Sequence, residues 1–453
     1  MDSTVRSTSV STKRALGVIF LTVFLDLVGF SVIFPLFPAM LHYYLELEGP
    51  NSLIGHLTDT LAGFAPNAVE AEFLTTVLFG GVIGSLYSLL QFFSSAFWGA
   101  TSDRLGRRRV LLWTVSGVAL SYLLWFFSGQ FWALLLSRAL GGLMAGNIAV
   151  ATAAVADVTD EKGRGKGMAL IGVAFGLGFI LGPAIGSISA TYLNPLDLWP
   201  GLHQFGLHPF SGSALAALLL ACINLVWVWR SFPETRAASE KQADPETPRR
   251  TNRLAQIFVV KSSVVQLVIF VYLIFAIAFA GMEFSLTFLA RERLLYSPMD
   301  MMWIFIFIGF MLLISQGVLV RRLSPKVGEI PLIFTGFLLV FLALVCLGTA
   351  QQVTLFYTGL GLLGIGVGLV SPSLTSAASR FSPADQQGTN LGAFRSAGAL
   401  ARAIGPIVGA LIYYKFGSNL AYYAAAGMVL ISLGLSFTLP KLPVGAKVEE
   451  ASA

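Results

Sequence analysis

The segment Gly99-Ala-Thr-Ser-Asp103-Arg104-Leu-Gly106-Arg107-Arg108-Arg109 carries five charges and stands directly between the apolar run Leu74–Trp98 and another that begins at Val110. Each flanking run is about as long as the ~20 residues a helix needs to cross ~30 Å of hydrocarbon. A chain that passes from one such run to the next through a short basic loop is a cytoplasmic hairpin of a polytopic membrane protein. Composition agrees. The 453 residues are 56% hydrophobic and 11% charged, against about 25% charged in soluble domains. So little polar surface cannot cover the folded chain, and lipid must be part of its solvent.

The apolar pattern predicts twelve spans, near residues 15–40, 73–98, 110–128, 131–156, 167–190, 212–230, 262–288, 299–320, 330–349, 353–376, 390–414 and 419–439. The fold class expected is an all-α polytopic membrane protein, two pseudo-symmetric six-helix bundles. Residues 1–230 form the first bundle, 231–261 a polar cytoplasmic linker with a surface helix, and 262–453 the second bundle with a short tail. Lys13, Arg14, the 99–109 loop, Lys162, Arg164, Lys166, the linker and Arg321-Arg322 fall on one side, whereas segments 41–72 and 190–212 hold no Lys or Arg. Arg291, Arg293 and Lys415 are exceptions. Both termini are therefore expected in the cytoplasm, in the plasma (inner) membrane if the source is bacterial. The polar start leads into a span too long for a signal-peptide core, so the first span is expected to remain as an anchor.

The halves repeat. Gly182-Pro183-Ala-Ile-Gly186 in span 5 matches Gly405-Pro406-Ile-Val-Gly409 in span 11 at an offset of 223 residues, and Gly141 meets Gly364 at the same offset. The basic loop has a degenerate partner in Gly317…Arg322-Leu323…Lys326. Internal duplication of six helices is characteristic of secondary transporters.

Charge inside a span is costly and marks function by default. Counting at 1.5 Å per residue puts Asp26 about 17 Å and Arg402 about 18 Å from the cytoplasmic side, with Arg138 about 20 Å from it. Three separate spans thus bring one negative and two positive charges to the middle of the bilayer. Spans 3, 6, 9 and 12 carry none between their ends, so they are expected to face lipid. Asp26 is read as a protonation site, its alternative being a structural Asp26–Arg138 pair; Arg138 has the further alternative of snorkelling outward. Arg395 shares a face with Arg402 but lies a turn or two from the cytoplasm, with snorkelling as its alternative, whereas a substrate anion or an internal partner would complete the site at the deeper Arg402. Glu283 is expected to gate with Arg291 or Arg293, or to carry a second proton. Gln91 and Asn147 read as interhelical hydrogen-bonding residues, and Tyr87, Phe92 and Phe175 as packing.

The stretch G-x-x-x-D-R-x-G-R-R formed by Gly99, Asp103, Arg104, Gly106, Arg107 and Arg108 resembles the loop between helices 2 and 3 of major facilitator superfamily transporters. Arg138-x-x-x-Gly142 resembles the superfamily's span 4 signature. Gly178-x-x-x-Gly182-Pro183-x-x-Gly186 resembles its antiporter signature in span 5, with Ser187 where a second glycine is usual. Leu25-Asp26-x-x-Gly29…Pro35-x-x-Pro38 resembles the tetracycline-efflux branch, and Gly281-Met-Glu283-Phe-Ser and Arg395-Ser-Ala-Gly-Ala-Leu-Ala-Arg402 resemble tetracycline-transporter-like proteins. The resemblance implies a rocker-switch cycle driven by protons, in which Asp103, with Arg104 and Arg107, latches span 2 to the cytoplasmic end of span 11. It also implies close contact of helices at Gly182-Pro183.

The sequence therefore points to a proton-coupled exporter of amphipathic, anionic organic molecules. The alternatives are a lipid or lysolipid translocator, a proton symporter, and a non-transporting membrane sensor. The expected partners are a small-molecule substrate, protons and the lipid bilayer, with no nucleic acid, and the chain is expected to be a monomer. No cofactor or metal is called for. Cys222 and Cys346 lie within apolar runs and read as small core residues, and His42, His56, His203 and His208 read as ordinary outer-loop histidines. There is no phosphate-binding loop and no nucleophile–base constellation, which excludes enzyme classes and direct ATP drive.

Overall fold

The computed structural model describes residues 3–62, 68–159, 161–235, 260, 262–383 and 387–440. All regular structure among them is helical. Span 1 runs Ser3–Ser31, turns through Phe34–Leu36 at Pro35, and continues as Phe37–Glu48. Proline removes a backbone donor and fixes φ, so the break falls where the sequence places Pro35 and Pro38. Spans 2 and 3 are Ala68–Leu105 and Arg107–Phe126, separated by Gly106 alone. Gly106 has φ +96°, a conformation glycine adopts without side-chain strain, so the basic hairpin is tighter than the loop expected from sequence.

Spans 5 to 7 are Glu161–Tyr192, Ser211–Ser231 and Ser263–Leu294. Span 8 begins at Pro298–Ile314 and passes through a π-helical turn, Ser315–Val320, where Ser315 Oγ donates to the Ile365 carbonyl at 2.8 Å. Spans 9 and 10 are Glu329–Thr349 and Val353–Arg380. Gln387–Ser436 holds spans 11 and 12, divided at Gly417 with φ +81°. The expected surface helix of the 231–261 linker lies outside the described residues.

The chain forms two compact units, Met1–Arg249 with Phe284–Ile306, and Arg250–Glu283 with Phe307–Ala453. In the first, the glycines of span 5 form the seam with span 1. A Cβ on Gly178 would meet Leu27 at 2.6 Å, one on Gly182 would overlap Ser31, and one on Gly186 would overlap the Val32 carbonyl. Ser31 Oγ donates to the Gly178 carbonyl at 3.0 Å across that seam. The second unit repeats the device between spans 11 and 7: Gly409 would meet the Gly281 backbone at 2.7 Å and Gly405 the Ile277 carbonyl at 2.8 Å. The two glycine–proline repeats thus do the same work, bringing backbones together where no hydrophobic drive exists between helices in lipid.

One histidine stands in the loop between spans 5 and 6 as expected but is not an ordinary loop residue. His208 is fully buried. Its Nε2 donates to the Trp125 carbonyl at 2.9 Å and its Nδ1 accepts from the Phe210 amide at 3.3 Å, which fixes the neutral Nε2–H tautomer. Beside it Tyr44 donates to the Ser128 carbonyl at 2.5 Å. Burial pushes the His208 pKa down to about 4, with the Trp125 hydrogen bond opposing.

Candidate functional site

Asp26 on span 1 and Arg138 on span 4 are both buried, at 6% and 3% exposure. The guanidinium therefore does not snorkel outward. Nor do the two form the locking pair that was one expectation: no ion pair joins them among the described residues. Instead Tyr87 of span 2 and Tyr122 of span 3 each lie within electrostatic reach of both charges. The Arg138 guanidinium sits 4.5 Å from the Tyr87 ring centroid and 5.7 Å from that of Phe30. Such contacts contribute about 2 kcal/mol when desolvated. Tyr87, expected as packing, thus also makes a cation–π contact with Arg138.

Span 4 is two helices, Phe131–Met144 and Asn147–Val158, rather than the continuous one expected. The carbonyls of the first half-helix are capped from span 2: Ser94 Oγ donates to Gly142 at 3.0 Å, Trp98 Nε1 to Leu143 at 2.8 Å and Gln91 Nε2 to Ala145 at 3.4 Å. Gln91 is thus the interhelical hydrogen bonder expected. Asn147 serves the same way, its side-chain amide turned to the Asp26 carboxylate of span 1 while its Oδ1 accepts from the next amide, Ile148, at 3.2 Å. The N-terminal end of the second half-helix, with its positive dipole, begins beside Asp26.

In the second unit, Glu283, Arg395 and Arg402 are half-buried on spans 7 and 11. Arg402 is within electrostatic reach of both Glu283 and Arg395, and Tyr272 is within reach of both arginines. The Tyr272 ring stacks on Phe394 with centroids 4.0 Å apart. Glu283 thus lies within electrostatic reach of Arg402, while Arg291 and Arg293 stand at least two turns further along span 7. The group carries two positive charges against one negative.

The 99–109 hairpin is a folded clasp. Arg107 Nη2 pairs with Asp103 at 2.8 Å, Nε with Asp157 at the end of span 4 at 2.9 Å, and Nη1 with Ser102 Oγ at 2.6 Å. The Arg107 amide donates to Glu234 at 2.8 Å, and Arg108 Nη2 to the Trp229 carbonyl at 2.5 Å. Gly99 and Arg104 lie on span 2, with Arg104 exposed. In the second unit Gly328, φ +81°, occupies the place of Gly106 as helix cap. There Glu329 takes a 2.6 Å bond from Arg380 and a 3.0 Å bond from Ser376. The structural partner of the basic loop is therefore centred on Gly328-Glu329, not on Gly317…Lys326, and its charges are exchanged.

Two duplicated six-helix halves, with charged groups in the interior of each, define a secondary transporter and not an enzyme. The chain belongs to the Major Facilitator Superfamily, whose profile it matches over residues 19–406 and again over 327–452. It is 34% identical to bovine (Bos taurus) major facilitator superfamily domain-containing protein 10 over 466 residues, covering 96% of this chain and 95% of that one. It is 27% identical to the class B tetracycline resistance protein of Escherichia coli, over 98% of this chain and 99% of the relative. The crystal structure of the human organic anion transporter MFSD10 (TETRAN) superposes with a TM-score of 0.75 at 32% identity, covering 94% of this chain and 99% of the other. A D-xylose-proton symporter shares the fold, with a TM-score of 0.67 at 17% identity, covering 95% and 98%.

Proposed function

We propose that the protein is a proton-coupled transporter that exports amphipathic organic anions by alternating access. The observation that carries this reading is the half-buried group of Arg395, Arg402 and Glu283, whose net positive charge favours an anion inside a low-dielectric bundle. Its likeness to a human protein described as an organic anion transporter supports the substrate class, and its likeness to tetracycline resistance proteins supports export. Asp26 is the proton carrier, Arg402 the principal anion ligand and Arg395 its neighbour. Both termini lie in the cytoplasm, and residues 1–230 and 262–453 are the halves that alternate about the 231–261 linker. Asp103 acts with Arg104 and Arg107 as the latch of the outward-open state. The working unit is a monomer in the bilayer.

The test uses purified full-length protein in liposomes with an imposed pH gradient and two fluorescent substrates of one scaffold, one carboxylate and one neutral ester. Gradient-driven movement of the carboxylate should be lost in Asp26→Asn and reduced about tenfold more than that of the ester in Arg402→Ala, about 1.4 kcal/mol of selectivity. Transport indifferent to the gradient would remove the coupling role. Equal losses for both substrates would remove the anion role.

A further inference from the structure

The break in span 4 leaves an imbalance of donors over acceptors. The carbonyls on its first side are satisfied by Gln91, Ser94 and Trp98. On the other side stand donors with no acceptor among the described residues, Arg138 Nε and Nη2 and the Tyr122 hydroxyl, and Asn147, whose side-chain amide is turned to Asp26. All three side chains are at least nine-tenths buried, at 3%, 3% and 1% exposure. Buried donors are nearly always paired with protein, water or ligand, and an unpaired one costs about 1–3 kcal/mol, more when charged. The groups are neighbours, since Tyr122 is within electrostatic reach of both Arg138 and Asp26 and Asn147 lies beside Asp26. The helix that starts at Asn147 runs twelve residues and adds the positive end of its dipole.

We infer that this break is a binding site for a compact monovalent anion, a halide or a carboxylate, held by Arg138, Tyr122 and Asn147 and linked to the protonation of Asp26. The charge balance gives the sign of the linkage. Ionised Asp26 acts on Tyr122 and lies beside Asn147, so an anion held by those groups meets a carboxylate. Protonated Asp26 removes that repulsion and leaves the positive helix end at Asn147 uncompensated, so the anion enters. Proton and anion therefore raise each other's affinity. Among the described residues, the contacts of spans 5 and 6 with span 1 at this level are uncharged: span 5 presents Gly178 and Phe179, and span 6 presents Asn224, which donates to the Thr22 carbonyl at 3.2 Å. Tyr87 covers Arg138 with its ring.

The site is tested by binding, without a gradient or transport, so its failure and that of the proposed function are separable. Thermal midpoints of the purified full chain are measured at pH 5.5 and 8.5 in sodium chloride, sodium formate and sodium gluconate of equal ionic strength. Chloride, formate or both should raise the midpoint by several degrees over gluconate, saturably and more at pH 5.5. Protection by one anion alone supports the site and assigns its ligand as halide or carboxylate. Asp26→Asn should give the pH 5.5 response at both pH values, and Tyr122→Phe should weaken apparent affinity several-fold. Arg138→Gln should abolish the response. Equal midpoints in all three salts, an anion response unchanged in Tyr122→Phe and Arg138→Gln, or a pH dependence that survives in Asp26→Asn would each overturn the inference.

Discussion

Acidification should destabilise this protein through His208, in a window set by its burial. The imidazole is fully enclosed and neutral, with Nδ1 accepting from Phe210 and Nε2 donating to Trp125. Its pKa falls from 6.5 to about 4 on folding. The unfolded chain therefore binds the proton between those values while the folded chain does not. Stability from this group is complete above pH 6.5, is lost as pH falls through the window, and is gone below about 4. A shift of this size corresponds to roughly 3 kcal/mol at 1.36 kcal/mol per unit. Protonation would also turn the Nδ1 acceptor into a donor facing the Phe210 amide. The assay is the thermal midpoint of purified protein from pH 8 to 4.5, for the parent and for His208→Gln, which retains a donor but does not titrate. The parent should lose several degrees more than the variant between pH 7 and 5. Parallel curves over that interval would refute the reasoning, because the acid loss would then belong to other groups.

Gly182→Ala should cost about 1–3 kcal/mol, since its Cβ would overlap Ser31, whereas Gly427→Ala has open space and should be neutral in the same thermal assay. A double-mutant cycle on Glu329→Gln and Arg380→Gln should return a coupling of about 0.5–3 kcal/mol; additive losses would show that the 2.6 Å contact contributes nothing. Asp157→Asn should lower the midpoint more than Asp103→Asn, because the Asp157 carboxylate is 23% exposed and that of Asp103 44%.

The glycine–proline repeats were legible because their consequence is steric and local: a side chain cannot occupy the seam, so sequence alone marks spans 5 and 11 as close packers. The interior charges were legible for a similar reason, being rare and costly wherever they fall. The break in span 4 was not legible. Its only marks are Gly146 and Asn147 in an otherwise helical stretch, and the stabilising caps come from Gln91, Ser94 and Trp98, on another helix. The burial of His208 escaped for the same reason, since its partners belong to the turn after Trp125. The clasp of the second half is not legible from basic residues, because the fold keeps the glycine and exchanges the signs of the pair.

That exchange has a consequence for descent. Arg107 and Asp157 belong to one half, and Glu329 and Arg380 to the other. Each pair can thus reverse polarity without consulting its counterpart, and mutations at the two addresses compensate within a single ancestral module. Polarity becomes a heritable tag by which otherwise interchangeable copies of a duplicated unit are told apart.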